Sequence, residues 1–229
     1  MPIQIRDGGP ALPPHMVDAV TGVELPTLGH FLEIGFADPR ITRVVGEGRL
    51  VGRAVTVRVV APDSALVHRA TELLGSGDVL VVDIGGDRRH APIGAVVGTA
   101  VAASGAAGIV IDGPCTDREA LGSLGIPIYA RGTSALTTKL HALDAGGINV
   151  PIVIGGVAVL LGYLVVGDAD GLLLADPADV DSVIEDARRS DAAEPQKLDR
   201  LRSRAPLTTV SRAGERLRGV LEQQPRGGE

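Results

Sequence analysis

The first clear alternation of apolar and polar positions is Leu50 to Val60 (LVGRAVTVRVV). β-branched residues dominate it and Arg53 and Arg58 lie at its polar edge, which predicts a strand. A Pro62-Asp63-Ser64 turn follows, where Asp63 or Ser64 can cap a helix beginning near Ala65 (ALVHRATELL) and stopped by Gly75. The polar half of the pattern then disappears. GDVLVVDIGG reads as a buried strand, Val79 to Ile84, ending in a Gly-rich loop. Gly94 to Ser104 has helical length and small side chains and ends at Gly105. Gly108 to Asp112 is another buried strand, followed by a GPCT loop, a short helix DREALGSL and a strand Ile126 to Ala130. This alternation of strand and helix predicts parallel pairing through helical crossovers.

Beyond it, VPIVI, VAVL, YLVVG and GLLLA are separated by short Gly turns and predict a set of antiparallel strands. Asp168 and Asp170 in GDADG fit a hairpin turn rather than a calcium loop, because no twelfth-position Glu follows. Upstream, residues 1–48 are a mixed segment in which ADPRITRV predicts a turn into a short strand. From Asp176 onward charges dominate and the pattern is helical, with QQPRGGE frayed at the end. The expected organisation is an α/β domain over 1–177, including the N-terminal segment, and a helical C-terminal extension over 178–229.

Composition narrows the function classes. Hydrophobic residues make up 45% of the chain and aromatics only 2%, so the core is built from Val, Leu, Ile and Ala. A net charge of −6, with so few rings for bases to stack on, argues against direct nucleic-acid binding. Cys115 is the single cysteine, which excludes an intrachain disulfide and fits a cytoplasmic location. The opening MPIQIRDGG has no apolar run of the kind a signal peptide needs. Ala91 to Ile111 and Val150 to Gly167 carry no charge, but their internal glycines make them alternating strands and helices rather than membrane spans.

In open α/β sheets, ligands sit beyond the C-terminal ends of parallel strands, often at helix N-termini. Three loops meet that description. GGDRRHAPIGAV leads into a helix whose first amides, those of Gly94, Ala95, Val96 and Val97, are donors that favour an anion. DGPCTDRE brings Asp112, Thr116, Asp117, Arg118 and Glu119 together, and YARGTS adds Arg131, Thr133 and Ser134. Taken alone, Asp117 is well placed to cap DREALGSL, and Arg118 and Glu119 read as a solvated helix face. The five histidines show no metal-ligand spacing, and Cys115 reads as a buried small residue.

From Val51 to Pro177 the chain resembles the RraA-like family, which holds regulators of ribonuclease E activity and 4-hydroxy-4-methyl-2-oxoglutarate aldolases. The resemblance is carried by VGRAVTVR, GDVLVVDIGG, the Gly94 helix, GIVIDG, TDREAL, IPIYARG, VPIVIGGVAV and VVGDADGLLLADP, in that order. It implies a swivelling β/β/α domain with parallel and antiparallel strands, assembled as trimers or hexamers with sites between subunits. In the family's aldolases a Gly is followed about twenty residues later by Arg-Asp; here Gly94 and Thr116-Asp117 stand at those positions. The resemblance then implies that amides after Gly94 hold a substrate carboxylate and that Asp117 holds Mg²⁺ or Mn²⁺, largely through waters, with no organic cofactor. Thr116 replaces the Arg that neutralises the forming enolate, Ala95 replaces a Glu, and Tyr163 stands where Asp is usual. Arg131, or a side chain from a neighbouring subunit, is the candidate to substitute for that guanidinium.

The expected function is a divergent aldolase- or decarboxylase-type lyase acting on an oxo-acid or related enolisable small molecule. The alternatives are the same scaffold adapted to metal-independent catalysis, or a non-enzymatic regulator that binds a protein partner.

Overall fold

The computed structural model describes residues 2–221, so the QQPRGGE end lies outside the described residues. In chain order the elements are β1 (Gln4–Ile5), α1 (Pro14–Thr21), α2 (Leu25–Leu28), β2 (Thr42–Val45), β3 (Leu50–Arg58), α3 (Ala65–Thr71) and β4 (Asp78–Asp83). Then come α4 (Ala95–Ala103), β5 (Gly108–Ile111), α5 (Arg118–Gly122), β6 (Ile128–Ala130), β7 (Gly147–Ile148), β8 (Ile152–Ile154) and β9 (Val157–Val159). β10 (Leu164–Gly167), β11 (Leu172–Ala175), α6 (Pro177–Asp181), α7 (Ile184–Arg202), α8 (Leu207–Val210) and α9 (Ala213–Leu221) complete the order.

β3, β4, β5 and β6 are parallel neighbours, as the alternation of strand and helix predicts, and β2 closes one edge antiparallel to β6. The other side of β3 is shared. β10 pairs antiparallel with its first half, from Leu50 to Arg53, and β7 with its end, at Val57 and Arg58. The later strands therefore do not form one antiparallel set. β10 and β11 extend the main sheet, whereas β8 and β9 make a separate two-stranded sheet.

The period of two explains the layers. On β4, Leu80 and Val82 face α3, α4 and α5 in one core cluster with Val67, Val97, Val101 and Leu121. Val79 and Val81 face the opposite way, onto Tyr129, Ile152, Ile154, Val159, Val165 and Leu174. Both faces of the strand are dry, which is why its sequence shows no polar alternation. A third cluster packs α1 and α2 against β10 and β11, and Val180, Ile184 and Ala187 from α6 and α7 belong to it. Among the described residues, no helix is long and apolar enough to cross a membrane.

Two polar anchors keep this frame in register. The buried Tyr129 hydroxyl donates to Asp168 C=O at 2.8 Å, and burial pushes its pKa up to about 12. The Asp168 carboxylate accepts from Leu25 and Asp170 N–H, so the GDADG turn is a hairpin tied to α2. At the other end of the sheet Asp63, not Ser64, reaches the first amide of α3, and it also accepts from His141 and Leu143 N–H. It thereby pins the segment after β6 to the start of that helix.

Candidate functional site

The C-terminal ends of β4, β5 and β6 lie side by side, and the three loops leaving them are stitched together. Thr116 N–H donates to Ile93 C=O at 2.9 Å, Cys115 N–H to Gly132 C=O at 3.0 Å, and Ser134 Oγ to Arg89 C=O at 2.6 Å. Cys115 is fully buried, as its sequence context predicts.

This stitching brings Gly94, Thr116 and Asp117 to one place. Asp117 has φ 52° and ψ 43°, a left-handed conformation that Asp tolerates better than most residues. The kink turns its carboxylate away from its own helix. Asp117 makes no side-chain cap on α5; its Oδ2 accepts from Ala95 N–H, the first amide of α4, at 2.9 Å. The N-cap expected from spacing is thus a cap across space, onto a helix 22 residues earlier.

Gly94 is required by that approach rather than by its torsions, which are extended. A Cβ at Gly94 would stand 2.5 Å from Asp117 Oδ2 and 2.7 Å from Thr116 Cγ2. Thr116 therefore presents its methyl to the α4 N-terminus. Of the α4 amides expected to be open to an anion, that of Ala95 is already taken by Asp117. Those of Val96 and Val97 precede the first helical bond, Gly98 N–H to Gly94 C=O at 2.8 Å. Val96 is exposed and Val97 buried.

Arg131 is engaged elsewhere. Its guanidinium bridges Asp112 through Nε and Asp38 through Nη1, the latter at 2.9 Å, and its side chain is only 10% exposed. Asp112 also accepts from Arg88 Nη1 at 2.8 Å and from Gly155 N–H at 2.7 Å, while Arg40 pairs with Asp38 at 2.6 Å. Burial works against the Asp112 charge, but bonds from Arg131, Arg88 and Gly155 outweigh it and hold the carboxyl below the ordinary carboxylate range. The Arg40 side chain and backbone N–H hold Asp38 well below that range too. The expected substitute for the missing guanidinium is therefore part of an ion network joining β5, β6, the β8–β9 loop and the N-terminal segment. Nothing in the spacing of Asp38 and Arg131, 93 residues apart, announces it.

Among the described residues no group of three or more His, Cys, Asp or Glu side chains could hold a metal ion. A single exposed carboxylate at Asp117 fits a cation that keeps most of its waters, as Mg²⁺ commonly does, and does not fit a protein-built cage. Two clefts among the described residues open elsewhere. One of about 430 Å³ is bounded by Phe36, Gly155, Tyr163 and Asp179, and one of about 460 Å³ by Pro26, Phe36 and Gly171. Neither touches Gly94, Thr116 or Asp117. Tyr163 lies with the first of them, away from α4.

Comparison with known proteins bears on this site. A family model described as RraA-like (Aldolase/RraA) matches residues 16–174. A Thermus thermophilus protein named 4-hydroxy-4-methyl-2-oxoglutarate aldolase is 39% identical over 129 residues, covering 56% of this chain and 77% of its own. A Halalkalibacterium halodurans protein, provisionally named for the same aldolase, is 38% identical over 144 residues, covering 63% of this chain and 68% of its own. Among solved structures, the RNA-processing inhibitor RraA from Thermus thermophilus superposes with a TM-score of 0.61 at 32% identity, covering 67% of this chain and 92% of its own. Streptomyces coelicolor RraAS2, at 24% identity, shares the fold with a TM-score of 0.70 over 84% of this chain and 98% of its own.

Proposed function

The chain belongs to the RraA-like family, and we propose that it is a divergent lyase that cleaves or decarboxylates an oxo-acid at the α4 N-terminus. One observation carries this reading. Asp117 Oδ2 stands 2.9 Å from Ala95 N–H, so the acid and the helix N-terminus form one site across 22 residues of sequence.

In this reading the Val96 and Val97 amides hold the substrate carboxylate, and the helix dipole adds to their attraction. Gly94 leaves room for the acid and the anion to lie together. Asp117 would hold Mg²⁺ or Mn²⁺. When bound, such a cation stabilises the enolate left by cleavage. Thr116 contributes no charge and a short side chain, so the site works without a guanidinium and the lyase is slow. Exposed Val96, Leu140, Val60 and Val153 support a neighbouring copy covering this end of the sheet.

Two experiments test this. Mg²⁺ should raise the melting temperature of wild type but not of Asp117→Asn, in which the amide still accepts from Ala95 N–H. Equal melting points in Mg²⁺ and in chelator would leave Asp117 a cap alone, and a protein-binding regulator would become the better reading. Light scattering should give a mass that is a multiple of three chains. A clean monomer at micromolar concentration would remove the shared site.

A further inference from the structure

Cleavage of a 4-hydroxy-2-oxo acid needs a group to take the hydroxyl proton, and none of Gly94, Thr116 and Asp117 is free to do it. Asp117 Oδ2 accepts from Ala95 N–H and, in the lyase reading, its carboxylate holds the cation, and the Thr hydroxyl is too weak a base. The β4–α4 loop holds a pair suited to the task. His90 Nδ1 lies 2.8 Å from Asp87 Oδ2, with the side chains 23% and 20% exposed.

Asp87 is itself fixed, because its Oδ1 accepts from Arg89 N–H at 2.6 Å and His90 N–H at 2.9 Å. Those two amides, with a smaller share from the imidazole, hold its carboxyl at about 2, so it stays anionic through the working range. An anion at Nδ1 keeps the ring proton there and leaves the Nε2 lone pair as the acceptor.

The loop is clamped from both sides. Arg88 Nη1 binds Asp112 Oδ1 at 2.8 Å, at the end of β5, and Ser134 Oγ binds Arg89 C=O at 2.6 Å, beyond β6. Ile93 accepts from Thr116 N–H at 2.9 Å, and His90 is three residues before Ile93, at most about 11 Å along an extended chain. His90 therefore sits in the loop that carries Ile93 to Thr116, at the same end of the sheet.

We propose that His90, oriented by Asp87, is the general base of this chain, acting on a 4-hydroxy-2-oxo acid whose carboxylate rests on the α4 amides. The proposal rests on the lyase reading above. Nε2 takes the C4 hydroxyl proton as the C3–C4 bond breaks. The bonding pair passes to the pyruvate enolate, and the C4–O bond becomes a carbonyl. The imidazolium then returns its proton to the enolate carbon, so no outside reactant is consumed. Asp87 is a positioning residue.

The test is steady-state cleavage of 4-hydroxy-4-methyl-2-oxoglutarate with Mg²⁺, comparing wild type with His90→Ala. The expected result is a fall in kcat of about a hundredfold or more with KM little changed, since a positioned base contributes on the order of 10²–10⁴. Added imidazole should restore at least tenfold of that loss. His90→Asn, which keeps an N–H for Asp87, gives the same comparison of kcat should the Ala variant fail to fold. A second readout needs no turnover: ¹⁵N NMR of wild type should find the His90 ring proton on Nδ1. Unchanged kcat, a loss that imidazole does not rescue, or a ring proton on Nε2 overturns His90 as the base while leaving the lyase reading in place. A wild type that forms no pyruvate overturns both.

Discussion

Thr116→Arg should raise Mg²⁺-dependent pyruvate release at least tenfold over wild type. A donor aimed at a forming oxyanion is worth about 2.7–4 kcal/mol, on the order of a hundred- to a thousandfold in rate. A guanidinium added to an existing site recovers part of that. The starting position is favourable: Thr116 is held by its own N–H to Ile93 C=O, and its methyl already faces Gly94. The cost is also small. A cation near the positive end of α4 loses about 0.3–1 kcal/mol of stability, and the adjacent Asp117 carboxylate offsets part of it. Adding Asp117→Ala to the Thr116→Arg background should abolish the gain, because both groups serve one enolate. Coupled detection of pyruvate measures all three proteins. If wild type already turns over as fast as an ordinary aldolase of the family, another residue has taken the place of Arg. If Thr116→Arg folds and gains nothing, the platform serves metal-independent chemistry.

The strands were legible because burial on both faces leaves a recognisable trace, the unbroken apolar runs of β4 and β5, and because helical stretches separate them. The partition of the later strands was not legible. β8–β9 and β10–β11 carry similar short apolar runs and Gly turns, yet one pair leaves the main sheet and the other joins it. That choice is made by β3, whose side away from β4 has room for β10 and then β7. In the site, residue identities were legible and partners were not. A cap ordinarily bonds an amide two or three residues along the chain, so spacing alone assigns Asp117 to α5. Its left-handed torsion, invisible in sequence, sends it to Ala95 instead. Arg131 reads as available in sequence for the same reason: its carboxylate partners lie 19 and 93 residues away. The Asp87–His90 spacing was in plain view, but only the turn built on Asp87 brings the ring to the carboxylate.

Arg131 separates the two roles open to it by stability rather than by rate. Arg131→Met keeps the aliphatic length and removes the bridge between Asp112 and Asp38. Breaking a fully buried pair from one side costs about 3–5 kcal/mol. Here Asp112 keeps Arg88 and Gly155 N–H, Asp38 keeps Arg40, and water reaches the edge of the network, so about 2 kcal/mol is expected. For a chain of this size that lowers the melting temperature by about 4–8 °C at pH 7, measurable by calorimetry. The sign of the pH dependence follows from the two carboxyls. Both are held below their unfolded values, so their ion pairs stabilise the fold above the ordinary carboxylate range and are lost as pH falls through the folded values. The gap between wild type and Arg131→Met should therefore be full at pH 7, shrink as pH falls below the ordinary carboxylate range, and be smallest at the most acidic pH the fold survives. Asp112→Asn should lose stability at pH 7 with the same pH profile, because it removes the charge at the centre of the network. A substrate-binding Arg131 would behave in the opposite way: Arg131→Met would melt with wild type at every pH and lose only KM. That outcome would return Arg131 to the site and take it out of the frame.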